Sequence, residues 1–367
     1  MTDTVLDADE LTRAALDTGG PADLRFQPAL RRLVQAINDE ARLTADGARV
    51  ARASLVNSLR TQLRLAARPP AGPPPAVTVV TGLHRTGTTL LQSLLAAHPG
   101  VRAPQLWELL APAAAQPVDE LVAAATRYVD EYYRAAPAFA AIHPLHARKP
   151  EECHRLIANS FHSEIFGLRY HVPGYLDWLA RQDHGPAYAL HRAQLAAIVG
   201  GGRTGHVVLK CPFHLWHGAD LAAAYPQARV VRLHRDPVAT VASVCSLTRT
   251  VRAARSGHVD PYEIGAFWLD RTAAAVPGLR GADAFAGLPV LDLRYRDLVA
   301  DPMAALARVC AFAGLPFDAT ARRAVRDAAR ASSGSAPGRH QYRLTDYGLD
   351  EDRVRRRFAD YRAAYRL

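Results

Sequence analysis

Eight residues, Gly82-Leu-His-Arg-Thr-Gly87-Thr-Thr, form the stretch whose composition speaks most directly of chemistry. Two glycines bracket it, one cation sits inside it and two hydroxyls close it. It is preceded by the β-branched run Val77, Val79, Val80, the pattern of a buried strand. Leu90, Leu91, Leu94 and Leu95 follow at helical spacing. A strand, a glycine-bounded loop and a helix in that order make an anion cradle, with backbone N–H groups turned inward and the positive end of the helix dipole aimed at the ligand. A second candidate lies at Arg235-Asp-Pro-Val-Ala-Thr-Val-Ala-Ser243, where a strand ends and a helix begins. In open α/β sheets ligands gather at strand carboxyl ends, so Arg235 and Ser243 are placed to grip a further phosphate between a guanidinium and a hydroxyl.

The first loop nearly fits the nucleotide-binding pattern G-x-x-x-x-G-K-[ST]. Gly82, Gly87 and Thr89 match, but Thr88 stands where the lysine belongs. That lysine serves the terminal phosphates of a nucleoside triphosphate, so its loss argues against an ATP-dependent kinase. Asp292 is the one carboxylate after a strand that is suited to Mg²⁺. The loop cation is instead Arg85. Arg85-Thr86-Gly87-Thr88-Thr89 resembles the phosphosulfate-binding loop of sulfotransferases that use 3′-phosphoadenosine 5′-phosphosulfate (PAPS). In that family an Arg and a Ser at the spacing of Arg235 and Ser243 hold the 3′-phosphate. Lys210-Cys-Pro-Phe213, the segment Leu293 to Pro302, Glu151-Glu-Cys-His and the pair Trp107-Glu108 are similar to the bacterial branch related to tyrosylprotein sulfotransferases. Gly338 to Gly348 looks like the family's cofactor lid.

The resemblance implies roles. Arg85, Thr86, Gly87, Thr88, Thr89, Arg235 and Ser243 would bind PAPS; Tyr295 would flank the adenine, and Arg339 and His340 would close over it. Arg85 and Lys210 would be the cations at the leaving oxygen. Glu108 would be the base, with His214 in reserve. The product would be adenosine 3′,5′-bisphosphate and the acceptor a small molecule with a hydroxyl or amine. Sulfuryl transfer needs positioning, cations and a base, so no metal is expected. The alternatives are a P-loop ATP-dependent kinase and a non-catalytic binder of nucleotides or nucleic acid.

The elements that must position these residues follow from pattern. Hydrophobic runs at 206–210, 228–233 and 290–293 alternate with helical segments, which predicts an α/β fold: a P-loop-like, mostly parallel sheet flanked by helices. Residues 1–75 read as an N-terminal helical extension ending in the proline-rich linker Pro69 to Pro75, and 76–367 as the catalytic domain. Within it, 118–199 reads as an inserted helical cap over the acceptor side, with one helix expected from Glu151 to Phe166. A single terminal helix is expected from Asp350 to Tyr365.

The 367 residues carry a net charge of +10, and all but two of the 45 basic residues, Lys149 and Lys210, are arginine. That usage, with abundant alanine, is the codon bias of a GC-rich bacterial genome. The basic residues are interspersed with acids, so no nucleic-acid partner is expected. No stretch is apolar enough to span a membrane, and Met1 to Glu10 is acidic and polar, unlike a leader. The four cysteines are scattered, as in a reduced cytoplasmic setting.

Overall fold

The structure, a computed structural model, describes residues 5–16, 25–67, 75–200, 205–281, 283–334 and 342–367. Its centre is a sheet of β1 (Val77–Gly82), β2 (Val101–Arg102), β3 (His206–Lys210), β4 (Arg229–His234) and β5 (Val290–Arg294). The strand order is β2-β3-β1-β4-β5 and every pairing is parallel. The α/β class expected from the alternation is the class observed. β2, two residues long, carried too little pattern to be foreseen. An all-parallel sheet must be covered on both faces. Val80, Val208, Val231, Leu233 and Leu293 pack with Leu91, Leu94 and Leu95 of the helix Thr88–Ala96 and with the helix Pro302–Ala313. Val77, Val79, Val207 and Val230 face the larger cluster on the other side. Leu91, Leu94 and Leu95 are fully buried, and each contributes about 1.5–3 kcal/mol as an upper estimate.

The chain leaves β1 for β2 and β3 on one side, then crosses to β4 on the other. The loops after β1, β3 and β4 therefore meet at one crevice beyond the strands' carboxyl ends.

Over that crevice lies a helical block: Val118–Ala135, Phe139–Ile142, His154–Ala158, Ile165–Arg169, Pro173–Leu179 and Gly185–Val199. The single helix expected over 151–166 is replaced by two short ones. Ser160 Oγ donates to Ile157 O at 2.7 Å, and Phe161 takes a left-handed φ of 59°, which halts the first. Buried Asn159 turns its side chain to Gln194 and Ser58 instead of continuing the turn. The terminal helix also breaks, into Glu351–Arg357 and Ala359–Tyr365, where Phe358 enters the core. The helix Pro261–Leu279, capped by Asp260, was passed over in the sequence.

Helices Ala8–Leu16, Gln27–Glu40 and Ala45–Ala67 precede the sheet. Leu30, Leu33 and Ile37 share a hydrophobic cluster with Phe161, Tyr175 and Val79. Thr44 N donates to Arg255 O at 2.9 Å, and Gly257 N donates to Arg42 O at 2.9 Å, so this region is bonded directly to the later chain. Most of the proline-rich linker lies outside the described residues.

Candidate active site

The loop after β1 is held open by its glycines. Gly87 has φ 90°, caps the helix Thr88–Ala96, and passes so close to Tyr295 that a Cβ would sit 2.5 Å from its ring. Thr86 Oγ1 donates to Leu83 O at 2.8 Å and closes the turn. Arg85 adopts φ 67°, a conformation that costs a non-glycine residue about 1–2 kcal/mol. That twist presents its carbonyl to Arg235, whose Nη1 donates to it at 2.9 Å. The Arg85 Nε donates to Ser243 Oγ at 3.1 Å. Ser243 stands in the helix Pro237–Ala253, whose first turn is capped by Asp236 accepting from Val238 N at 3.0 Å. The Arg235 guanidinium lies over the Tyr295 ring, 4.2 Å from its centroid. The two stretches placed apart along the sequence are thus in direct contact, because β1 and β4 are neighbours.

Lys210 ends β3 and is almost fully buried. Its Nζ donates to Thr89 Oγ1 at 3.2 Å and to Glu152 Oε1 at 2.5 Å. A lysine absent from the loop sequence thus stands beside the loop in space, on the neighbouring strand β3. Cys153 N donates to Lys210 O at 3.0 Å, which staples the segment bearing Glu152 to the strand end. Glu152 Oε2 meets His154 Nδ1 at 3.2 Å. Burial pushes the Glu152 carboxyl up, but Lys210, then His154 and His143, outweigh it and hold it well below the usual carboxylate range. Burial lowers His154 below the ordinary histidine value, more than Glu152 raises it, so its imidazole is neutral at pH 7. Glu151 faces His143 at 3.2 Å; burial opposes ionisation there too, but His143, Lys210 and Arg155 bring it to about 2.

His143, Glu151, Glu152 and His154 line a cavity of about 250 Å³ together with residues of both loops. At one end are Arg85, Gly87, Thr88, Thr89, Arg235 and Tyr295; at the other, Tyr128, Phe139, Leu145 and Leu168, with Glu152 and His154 also in the wall. One end offers hydrogen-bond donors and cations; the other is walled by aromatic and aliphatic side chains with Arg155 and Arg169 among them, and has a neutral imidazole and an ionised carboxylate at hand. Such a cavity can hold an anionic donor against an organic acceptor.

Not every residue expected here lines it: Thr86, Lys210 and Ser243 are buried behind its wall, Lys210 bonded to Thr89 and Glu152 in that wall and Ser243 to Arg85. Glu108 does not line the cavity. Its Oε1 accepts from Arg102 at 2.6 Å and its Oε2 from Gln105 N at 2.8 Å, where it closes a capping box on the helix Leu106–Leu110. His214 is fully buried elsewhere, between Tyr188 Oη at 2.7 Å and Cys153 Sγ at 3.3 Å. Arg339 and His340 lie outside the described residues. Conversely, Glu152 and His154 sat within Glu151-Glu-Cys-His, and the signal for them was two acids and a histidine beginning right after Pro150. No metal-like spacing stood out in the sequence, yet the fold gathers Cys153, His191 and His214, with ligand atoms within 4.8 Å of one another. Both histidines there also meet tyrosine hydroxyls, Tyr188 and Tyr225, at 2.7 Å.

A sequence profile described as "Sulfotransferase family" matches residues 77–319, about two-thirds of the chain. The protein belongs to the sulfotransferase family. The solved structure of sulfotransferase STF1 from Mycobacterium tuberculosis is 29% identical, with a TM-score of 0.76 over 98% of this chain and 100% of that one. Sulfotransferase STF9 from Mycobacterium avium, 22% identical, shares the fold at a TM-score of 0.83 over 99% and 98%. No curated protein matches the sequence. This sulfotransferase is a transferase with the family's mostly parallel α/β sheet. No helix among its described residues is long and apolar enough to cross a membrane.

Proposed function

We propose that this sulfotransferase moves a sulfuryl group from PAPS to a hydroxyl or amine of a small acceptor, releasing adenosine 3′,5′-bisphosphate. The observation that carries this reading is the contact of Arg235 and Ser243 with the glycine loop, beside an aromatic face. A nucleoside triphosphate has no group for such a second anion pocket. Asp292, the candidate Mg²⁺ carboxylate of a kinase, is instead gripped by Arg232 at 2.8 and 3.0 Å and by His234 at 2.8 Å.

In this reading the loop N–H groups, with Thr88 and Thr89, hold the 5′-phosphosulfate. Arg235 and the Ser243 hydroxyl, which accepts from Arg85 and still has its proton to donate, hold the 3′-phosphate. Lys210 and Arg85 steady the charge that grows on the leaving oxygen as the S–O bond breaks. Both oxygens of Glu152 are engaged, so it orients His154, and the neutral imidazole takes the acceptor's proton as the new O–S or N–S bond forms. His154 thereby takes the part first given to Glu108. The scheme calls for no metal.

The test is transfer of labelled sulfur from PAPS across a panel of hydroxyl and amine acceptors, alongside thermal shift. The reading expects a labelled acceptor, and stabilisation by adenosine 3′,5′-bisphosphate exceeding that by ATP with Mg²⁺. Stabilisation by ATP and Mg²⁺ alone would favour the kinase.

A further inference from the structure

The acceptor end of the cavity is not simply apolar. Arg155 and Arg169 line it together with Tyr128, and Arg255 stands just behind. Arg155 donates to Tyr128 Oη at 3.3 Å, its guanidinium 5.5 Å from the Tyr128 ring centroid, while Arg255 lies over Tyr132 at 5.1 Å and Arg169 near Phe166 at 5.9 Å. These are rings and hydroxyls, not counter-charges. Among the described residues no carboxylate ion-pairs with any of the three. Glu151, whose charge Arg155 does feel, is already paired with His143, and Glu152 with Lys210 and His154. The Nε atoms of Arg155 and Arg255 are buried without a hydrogen-bond partner among the described residues. Arg155 and Arg255 both act to lower the pKa of Arg169, below burial in effect, and all three act to lower that of Tyr128.

The fold holds this cluster in place at both ends. The helix Pro237–Ala253 that carries Ser243 also presents Leu247 and Val251 to the cavity, and Arg255 follows it directly. The N-terminal region then fixes the Arg255 backbone through Thr44 N at 2.9 Å and through Gly47, where a Cβ would meet Arg255 O at 1.9 Å. Burial opposes the charge of all three, but Tyr128 at Arg155 and Tyr132 and Tyr170 at Arg255 outweigh it and hold both above the ordinary value, while at Arg169 burial prevails. The wall stays cationic, and Arg169 is the member that an entering anion would relieve most.

We propose that the acceptor is itself an anion: an apolar or aromatic body with a hydroxyl or amine at one end, presented to His154, and at the other a carboxylate or similar oxyanion bound by Arg155 and Arg169. A planar guanidinium pair takes a carboxylate by parallel N–H bonds, and Tyr128 and Phe139 flank the body between. The proposal rests on the sulfuryl-transfer reading for the reacting end alone; the anion site is testable without it.

Protein saturated with adenosine 3′,5′-bisphosphate is titrated with matched hydroxy acids and hydroxy amides on aromatic and straight-chain scaffolds, each pair differing only in carboxylate against carboxamide. Acids are expected to bind roughly ten-fold or more tightly than their amides, as charge-assisted bonds would give. Arg155→Gln and Arg169→Gln should each erase most of that preference, Arg169→Lys should keep part of it, and binding of adenosine 3′,5′-bisphosphate should stay unchanged as the check on folding. Equal binding of acids and amides, no binding by any acid, or a preference intact in the glutamine variants overturns the proposal. Failure of adenosine 3′,5′-bisphosphate to bind would instead strike at the donor reading, and the same acid–amide comparison on the ligand-free protein still reads the anion site.

Discussion

Replacing Arg235 with alanine removes three things at once. It deletes the donor to Arg85 O at 2.9 Å, the cation over Tyr295 at 4.2 Å, and the guanidinium proposed for the 3′-phosphate. The first two belong to the protein alone: one hydrogen bond and one half-exposed cation–π contact, together about 1–3 kcal/mol of stability. The third belongs to the ligand. A hydrogen bond between charged groups is worth about 1.5–3 kcal/mol, so adenosine 3′,5′-bisphosphate should bind roughly ten- to a hundred-fold more weakly. Calorimetric titration at one fixed ionic strength separates the two, because stability is read independently by urea unfolding. The decisive control is adenosine 5′-monophosphate. It lacks the 3′-phosphate, so its affinity should change far less on substitution. Arg235→Lys should fall between, keeping the charge but losing the fork and the stacking. An equal loss for both ligands, or no loss for either, would refute the assignment of Arg235 to the 3′-phosphate.

Other substitutions follow from the same contacts. Glu108→Gln should weaken the Arg102 pair and the helix cap, lowering stability by about 1 kcal/mol, and leave the rate of sulfuryl transfer nearly unchanged; a collapse of the rate would return the base to Glu108. His154→Gln should cut the rate by about 10²–10⁴-fold with adenosine 3′,5′-bisphosphate binding intact, as loss of a general base does. Because His154 is held below the ordinary histidine pKa, the wild-type rate should fall only as pH drops beneath about 6.5 and stay level above it, seen in a pH–rate profile. Stability should decline in acid as well. Glu151 stays ionised in the fold down to about 2, and His84 stays neutral down to about 3 because burial disfavours its charge. The unfolded chain takes up protons at both earlier, near 4.5 and 6.5. Unfolding therefore binds protons through that window, and urea midpoints should drop progressively from pH 7 to pH 4. Gly47→Ala, which drives a methyl against the Arg255 carbonyl, should cost about 1–3 kcal/mol by urea unfolding.

The glycine loop was legible because its chemistry is local: Gly82 and Gly87 are needed where they stand, and Val77 to Val80 announce the strand before them. Arg235 was legible for the same reason, at a strand end that must open on the crevice. Lys210 stood out in a chain that nearly lacks lysine, but its partner did not. Glu152 reaches it only through the Cys153–Lys210 backbone bond, a contact across 57 residues that no spacing announces. Glu108 was singled out because a carboxylate after the loop helix fits the family's order; its place in a capping box with Gln105, paired to Arg102 six residues earlier, shows only in the fold. The chain 151–166 hid its break because Asn159 and Ser160 suit a helix surface as well as a buried turn until the facing Gln194 is seen. The interspersion of acids and arginines shows in the tail, where exposed Arg355 pairs with Glu351 at 2.5 Å and Asp352 at 3.5 Å.

The central claim is that one donor molecule is held at both of its phosphate ends, and a crystal structure with adenosine 3′,5′-bisphosphate tests it most directly. The account predicts the 5′-phosphate on the backbone N–H groups around Gly87, near Lys210, and the 3′-phosphate between Arg235 and the Ser243 hydroxyl. A nucleotide bound with its 3′-phosphate in solvent, or lying outside this crevice, would contradict it.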